Sequence, residues 1–319
     1  MDINIVMRNS CGFKSIEWQG YLSVIFAATL WGAAGTLAKY VMGQAVSPMT
    51  LAEVRVTIAA GILLIVLLFK DRCLLRIKWQ NLPYMIVLGV VGVAGVNYTY
   101  YYAIRETNVA TAILLQYTAP AFIMLFAVLF QGEPFSSGKL FSLGLAFVGC
   151  FLMVGGYDLT IFATTKAGVI AGLISAGFFA FYSLYAEYGL KSYPVWTILF
   201  YGFTTAAVFW WCLQPPWKIL AAHYPARIWL LFLGLGLFST LVPFALYFIG
   251  IRRIRATRAS ITGMWEPVVA GVVAYLFLGE TLSLLQLVGA VLVLGGIFLL
   301  QIEHEPKRMI QPRRNAKKR

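Results

Sequence analysis

Arg258-Ala-Ser-Ile-Thr-Gly-Met-Trp-Glu266-Pro267-Val-Val-Ala-Gly-Val-Val-Ala-Tyr-Leu-Phe-Leu-Gly279-Glu280 is the stretch whose reading decides the fold. At ~1.5 Å per residue, about 20 residues of apolar helix cross the ~30 Å hydrocarbon core of a bilayer. Glu266 nevertheless stands at the midpoint of this run. A carboxylate there costs on the order of 2.5 to 3.5 kcal/mol on insertion scales, so it is expected to face a protein-lined cavity and to have a partner. Pro267 has no backbone N–H, which leaves the carbonyl one turn earlier free for a ligand or water. An acid beside an interrupted helix at mid-membrane reads as a working site.

The rest of the chain places this stretch in a membrane. Of 319 residues, 61% are hydrophobic and 12% charged, which leaves too little polar surface to cover a soluble domain. The expected fold class is an all-α integral membrane protein with ten transmembrane helices, at roughly 20–41, 48–69, 82–103, 107–130, 140–155, 166–189, 194–213, 228–250, 256–278 and 284–301. The connections are mostly short, so no extramembrane domain is expected, only a retained tail over 1–19 and a basic tail over 302–319.

Lysine and arginine fall asymmetrically among the connections. Nineteen of the 25 lie in the two tails and in one alternate set of connections, against Arg105, Lys166, Lys218 and Arg227 in the other set, with Lys39 and Arg55 inside spans. By the positive-inside rule both termini are cytoplasmic, which requires an even number of spans. The same placement accounts for the net charge of +13 without nucleic acid. Cys11, Cys73, Cys150 and Cys212 have no metal-ligand spacing and read as packing residues, so neither a metal nor a cofactor is expected.

The chain also repeats itself. A shift of 147 residues lays Arg105 on Arg252, Pro120 on Pro267, Phe130 on Phe277, Gly132-Glu133 on Gly279-Glu280, Ser136 on Ser283 and Gly149 on Gly296. Spans 1–5 (20–156) and 6–10 (166–301) thus read as two copies of one unit. Five is odd, so the copies enter the bilayer with opposite topology, an arrangement that supports alternating access.

Several polar residues inside the spans are candidates for chemistry. Arg55 and Glu266 are placed at similar depth and are expected to neutralise each other, or to exchange partners with a substrate amino or carboxylate group; the structural alternative for Arg55 is a tie to backbone carbonyls, and for Glu266 a helix–helix hydrogen bond. Proton exchange at Glu266 is a candidate coupling event. Lys39 and Glu53 are expected to form a structural or gating ion pair, or Lys39 to snorkel. Asn97, Tyr98, Tyr101 and Tyr102 suggest a polar-aromatic face, and with Trp31, Gln116, Tyr117, Tyr182 and Trp265 they are candidates to line a cavity for a small amphipathic solute. Pro120 and Pro267 are the expected helix breaks. Gly132-Glu133 and Gly279-Glu280 are expected to build turns, and Arg252, Arg255 and Arg258 to mark the cytoplasmic side.

Leu30-Trp31-Gly32, Lys39, Ser47-Pro48 and Arg55 in that order, the duplicated runs from Pro120 to Glu133 and from Pro267 to Glu280, and Gln116-Tyr117-Thr118-Ala119 resemble the drug/metabolite transporter superfamily, and in it the EamA-type transporters. The resemblance covers about residues 20–301. It implies a multi-pass inner-membrane carrier that exports amino acids or related metabolites, with protons as candidate coupling ion. The second half departs from the pattern: Ala176-Gly177-Phe178-Phe179 stands where Trp-Gly is expected, and no cation mirrors Lys39 or Arg55.

The alternatives are a carrier of another solute class (sugar, vitamin, nucleotide-like solute or drug) and a membrane receptor. A channel would show a filter sequence or a ring of charge. An enzyme would need a nucleophile–base pair or metal ligands in the spans, whereas His223 and His304 lie outside them. The expected partners are a small-molecule substrate and the lipid bilayer, with homo-oligomerisation left open.

Overall fold

A chain with so few polar residues can satisfy its backbone in lipid only within helices, and helices are what it forms. The computed structural model describes residues 3–158, 165–278 and 281–303, with side chains for 17–158, 165–277 and 281–303. In order come α1 (Ile3–Met42), α2 (Pro48–Lys70), α3 (Trp79–Glu106), α4 (Val109–Phe130) and α5 (Ser137–Met153). They are followed by α6 (Lys166–Gly189), α7 (Val195–Leu213), α8 (Ala226–Gly263), α9 (Glu266–Leu278) and α10 (Leu284–Ile302). Eight are long and apolar enough to cross a membrane, while α5 and α9 are shorter apolar helices. No strand occurs among the described residues.

Side-chain caps set many of the starts. Ser47 accepts a hydrogen bond from the Thr50 amide and Pro48 occupies the first turn of α2, where a missing N–H is harmless. Ser136 and Ser283, which coincide under the 147-residue shift, are the N-caps of α5 and α10.

Some boundaries differ from the sequence reading. Helix begins at Ile3, so the segment expected as a separate tail continues into α1. The spans expected at 228–250 and 256–278 are separated by a kink at Arg255 (φ 69°, ψ 165°), across which the residues of α8 run on to Gly263, and a turn at Met264-Trp265 then interrupts the second span ahead of α9. Glu266 therefore opens α9, at an interruption within the span expected at 256–278, because Pro267 cannot donate to the Gly263 carbonyl. The same interruption occurs in α4, where Tyr117-Thr118 form a turn ahead of Pro120. Each of α3 and α8 also contains a π-helical segment, Leu88–Ala94 and Leu237–Leu241. The Gly279-Glu280 turn, His304, the tail cations from Lys307 to Arg319, and the side chains of Arg8, Cys11 and Lys14 lie outside the described residues.

The most extensive packing joins α1 with α8, α5 with α10 and α3 with α6, followed by α4 with α6, α3 with α7, and α2 with both α7 and α8. Gly149 and Gly289 let α5 and α10 touch through their backbones: a Cβ on Gly149 would lie 2.6 Å from the Gly289 carbonyl oxygen. Phe141, Val291 and Phe298 point away from that contact and are exposed.

Candidate functional site

The helices form a partly open cavity of about 60 Å³, lined by Trp31, Arg55, Asn97, Gln116, Tyr117 and Glu266 together with Tyr100, Tyr101, Phe179, Ser239 and Phe244. Two charged groups, each held from behind by protein, meet it from different helices.

Arg55 on α2 is buried. Its Nε donates to Thr240 Oγ1 at 2.8 Å, and Nη2 donates to the Ser239 carbonyl at 2.6 Å and to Ser239 Oγ at 2.9 Å. Both partners belong to the π segment of α8, and such segments recur at functional sites because their carbonyls are less completely used by the helix. The Tyr101 ring lies 5.0 Å below the guanidinium, which adds a cation–π contact. Nη1 makes no hydrogen bond among the described residues, so the guanidinium is fixed on one edge and presents its other donor group.

Glu266 is also buried. Its Oε2 is 2.8 Å from the hydroxyl of Tyr117, which is itself 2.7 Å from the Gly263 carbonyl oxygen. That carbonyl is the one Pro267 leaves unpaired. The sequence reading assigned it to a ligand or water, whereas a side chain of α4 takes it. Gly32 allows α1 to lie against this turn: a Cβ there would stand 2.6 Å from the Glu266 carbonyl oxygen. The expected direct pair between Arg55 and Glu266 is not formed. Both line one cavity, but each is engaged by hydroxyl groups instead.

The remaining sequence candidates separate by position. Asn97 donates from Nδ2 to the Val93 carbonyl in the π segment of α3 at 2.8 Å, and Gln116 donates from Nε2 to Ser175 Oγ at 2.8 Å, tying α4 to α6. Tyr182 does not reach the cavity; its ring stacks on Phe248 at a centroid distance of 5.0 Å and is fully buried in the α6–α8 packing. Trp265 donates from Nε1 to Thr29 Oγ1 at 3.1 Å, outside the cavity lining.

Lys39 and Glu53 form no ion pair. Lys39 is exposed, while Glu53 is 1% exposed with no hydrogen-bond partner for either oxygen among the described residues. Thr50 and Thr57, which share the Glu53 face of α2, bond to Gln214, the C-cap of α7, and to Trp211 on α7. Glu53 thus lies on the α7 side of α2, while Lys39 on α1 is exposed.

Sequence reasoning missed Tyr100, Ser239, Phe179 and Phe244. Tyr100 and Tyr101 are three and four residues beyond Asn97, so the cavity face of α3 is legible once Asn97 is its reference, whereas Tyr98 is exposed and packs on Trp210. Ser239-Thr240 was visible as a hydroxyl pair inside an apolar helix.

At the end of the bundle that holds the connection between α4 and α5, Glu133 is buried and not a simple turn residue. Lys139 Nζ lies 2.7 Å from its Oε1, Thr257 Oγ1 donates to its Oε2 at 3.0 Å, and Arg255 Nη1 lies 3.4 Å from that oxygen. Arg255 also reaches Glu187 at 3.2 Å, and Glu187 Oε2 accepts from the Ala256 amide at 2.9 Å. Arg258 donates to Tyr21 and to the Glu303 carbonyl. Lys139, Arg255 and Arg258, expected as loop cations, therefore knit helices together, and the positive-φ backbone at Arg255 lets its side chain reach both Glu133 and Glu187.

Membrane-crossing helices around a cavity faced by ionisable side chains define a multi-pass membrane protein. Comparison with known proteins gives the family: the chain belongs to the EamA-like transporter family, whose model matches residues 18–155 and again 166–302. An uncharacterized transporter of Archaeoglobus fulgidus is 33% identical over 216 residues, covering 66% of this chain and 75% of that protein. The uncharacterized inner membrane transporter YicL of Salmonella typhimurium is 28% identical over 297 residues, covering 89% and 96%. The pseudopaline exporter CntI of Pseudomonas aeruginosa is 28% identical over 183 residues, covering 57% and 62%. A solved crystal structure superposes with a TM-score of 0.70 at 21% identity, covering 88% of this chain and 95% of that one, which shows a shared fold.

Proposed function

We propose that the protein is a secondary active transporter of the inner membrane that exports amino acids or related small metabolites by alternating access, coupled to protons through Glu266. The observation that carries this reading is the pair of separated ionisable groups on one cavity: Arg55 presents Nη1, and Glu266 has an oxygen beyond the one that Tyr117 holds. A solute with a carboxylate and an ammonium group complements both, and the aromatic walls suit an apolar side chain.

Alternating access is supported by the paired irregularities. Turns precede Pro120 and Pro267, π segments occur in α3 and α8, and the contact of α1 with α8 and α9 is matched by that of α6 with α3 and α4. These are the relations expected of two inverted five-helix repeats, residues 20–156 and 166–301. The name of the pseudopaline exporter supports the outward direction. In this proposal both termini are cytoplasmic, as the lysine and arginine distribution indicates.

The test is efflux from proteoliposomes loaded with labelled amino acids and small carboxylates, with and without an imposed pH gradient. Gradient-sensitive efflux of one class, with the sensitivity lost in Glu266→Gln, is the expected result. Equal sensitivity in the variant would remove Glu266 from coupling, and no flux of any zwitterion would overturn the substrate reading.

A further inference from the structure

The contacts of Tyr117 contain more oxygen than hydrogen. Its hydroxyl lies 2.7 Å from the Gly263 carbonyl oxygen and 2.8 Å from Glu266 Oε2, yet a phenol carries one hydrogen. With Glu266 ionised, that hydrogen would face two acceptors that are both buried. A neutral Glu266 removes the conflict: its O–H donates to the Tyr117 oxygen, and the Tyr117 O–H donates to the Gly263 carbonyl. No other neighbour supplies the missing hydrogen. Tyr100 on α3 makes no hydrogen bond among the described residues, Cys150 on α5 donates from Sγ to the Met264 carbonyl at 3.5 Å, and Arg55 on α2 donates to Ser239 and Thr240 and not to Glu266, Tyr117 or Gly263. α1 contributes Gly32 and Trp31, and α6 and α8 contribute Phe179, Ser239 and Phe244, none of which titrates.

We propose that Glu266 carries its proton in this conformation and that Tyr117 is a positioning residue that transmits loss of the proton to the break between α8 and α9. This rests on the proton-coupled reading above and adds its mechanism. When the carboxyl O–H bond breaks and the proton passes to water on the open side of the cavity, one hydrogen remains for two acceptors. The Tyr117 O–H turns to the carboxylate, because a charge-assisted bond is about twice as strong as a neutral one. The Gly263 carbonyl then has no donor, since Pro267 has no N–H to return to it. A buried carbonyl without a partner is costly, so the turn at Met264-Trp265 has to shift or accept a donor from a solute. Protonation and the geometry of the helix break are thereby linked through one phenol.

Infrared difference spectroscopy on the purified, reconstituted full chain tests this during a pH titration. The expected result is a carboxylic-acid C=O stretch at low and neutral pH that disappears on alkalinisation, is absent in Glu266→Gln, and moves to higher frequency in Tyr117→Phe, where the acid has lost its acceptor. Protection of the 263–268 amides, measured relative to their intrinsic exchange rate at each pH, should fall as the band disappears. It should be pH-independent in Glu266→Gln, whose amide N–H imitates the neutral acid toward Tyr117. A wild-type protein with no such band, or a band that Tyr117→Phe does not move, overturns the proposal, and the Glu266→Gln comparison decides it even if Tyr117→Phe fails to fold. Proton-driven flux without the band would sink this inference alone. The band with its expected shifts, in a protein that carries no amino acid, would support it while removing the substrate reading.

Discussion

Replacing Gly32 with alanine puts one methyl group into the contact that positions Glu266. The new Cβ would stand 2.6 Å from the Glu266 carbonyl oxygen, 3.0 Å from Val269 Cβ and 3.1 Å from the Ala270 amide nitrogen. Favourable contact begins at about 3.5 Å, and two of the three neighbours are backbone that cannot rotate aside. α1 and α9 must therefore separate by about 0.9 Å at the level of the acid. Overpacking of this kind costs ~1–3 kcal/mol, and alanine returns ~1 kcal/mol of helix propensity, so the net loss of stability is about 0–2 kcal/mol. Function should suffer more, because a ~1 Å misplacement of a reacting group is worth on the order of 100-fold in rate.

The assay is efflux of whichever solute the wild type carries, normalised to folded protein, beside thermal unfolding in the same detergent. Gly61→Ala is the control: its Cβ meets nothing within 4 Å, so it should be neutral or stabilising and transport normally. If Gly32→Ala transports as well as Gly61→Ala, the close contact of α1 with the Glu266 turn does not control the site.

Arg55→Lys keeps the charge but cannot hold Ser239 and Thr240 with a planar fork, so binding of anionic solutes should weaken at least about tenfold while the protein folds; titration by solute-dependent tryptophan fluorescence measures it, and wild-type affinity would show that only charge matters. Tyr182→Phe removes a buried hydroxyl with no hydrogen-bond partner among the described residues, so thermal unfolding should show a change between zero and a gain of about 1 kcal/mol, with unchanged flux; a loss of flux would put Tyr182 back among the substrate contacts. Lys139→Met leaves Glu133 with Thr257 and Arg255 and should cost about 1–3 kcal/mol, short of the ~3–5 kcal/mol of a fully orphaned buried charge. Adding Glu133→Gln should recover part of that loss in denaturant unfolding, and simple additivity would mean that the pair is not coupled.

Backbone chemistry was legible from the sequence wherever one residue dictates it. Pro267 announced a free carbonyl, and the break is where it should be; Ser136 and Ser283 announced two helix starts. Side-chain pairing was less legible because it depends on which face of a helix meets which neighbour. Arg55 and Glu266 were expected to pair; they line one cavity unpaired, and the Ser239-Thr240 hydroxyl pair that holds Arg55 comes from a π segment no periodicity reveals. Lys39 and Glu53 were expected to pair, but Lys39 is exposed and Glu53 is buried without a hydrogen-bond partner among the described residues. Arg255 read as a loop cation because counting charges says nothing about φ, and its left-handed backbone is what turns it toward Glu133 and Glu187.

The glycine contact between α5 and α10 bears on how the sequence can drift. The two helices meet through backbone at Gly149 and Gly289, and their outward faces carry Phe141, Val291 and Phe298. Lipid tails recognise bulk and apolarity but not shape, so those outer positions can interchange among leucine, isoleucine, valine and phenylalanine at little cost. The inner glycines have no substitute. Random replacement along this pair should therefore accumulate on one side of each helix and be purged from the other, a selection pattern written by the solvent and not by the cargo.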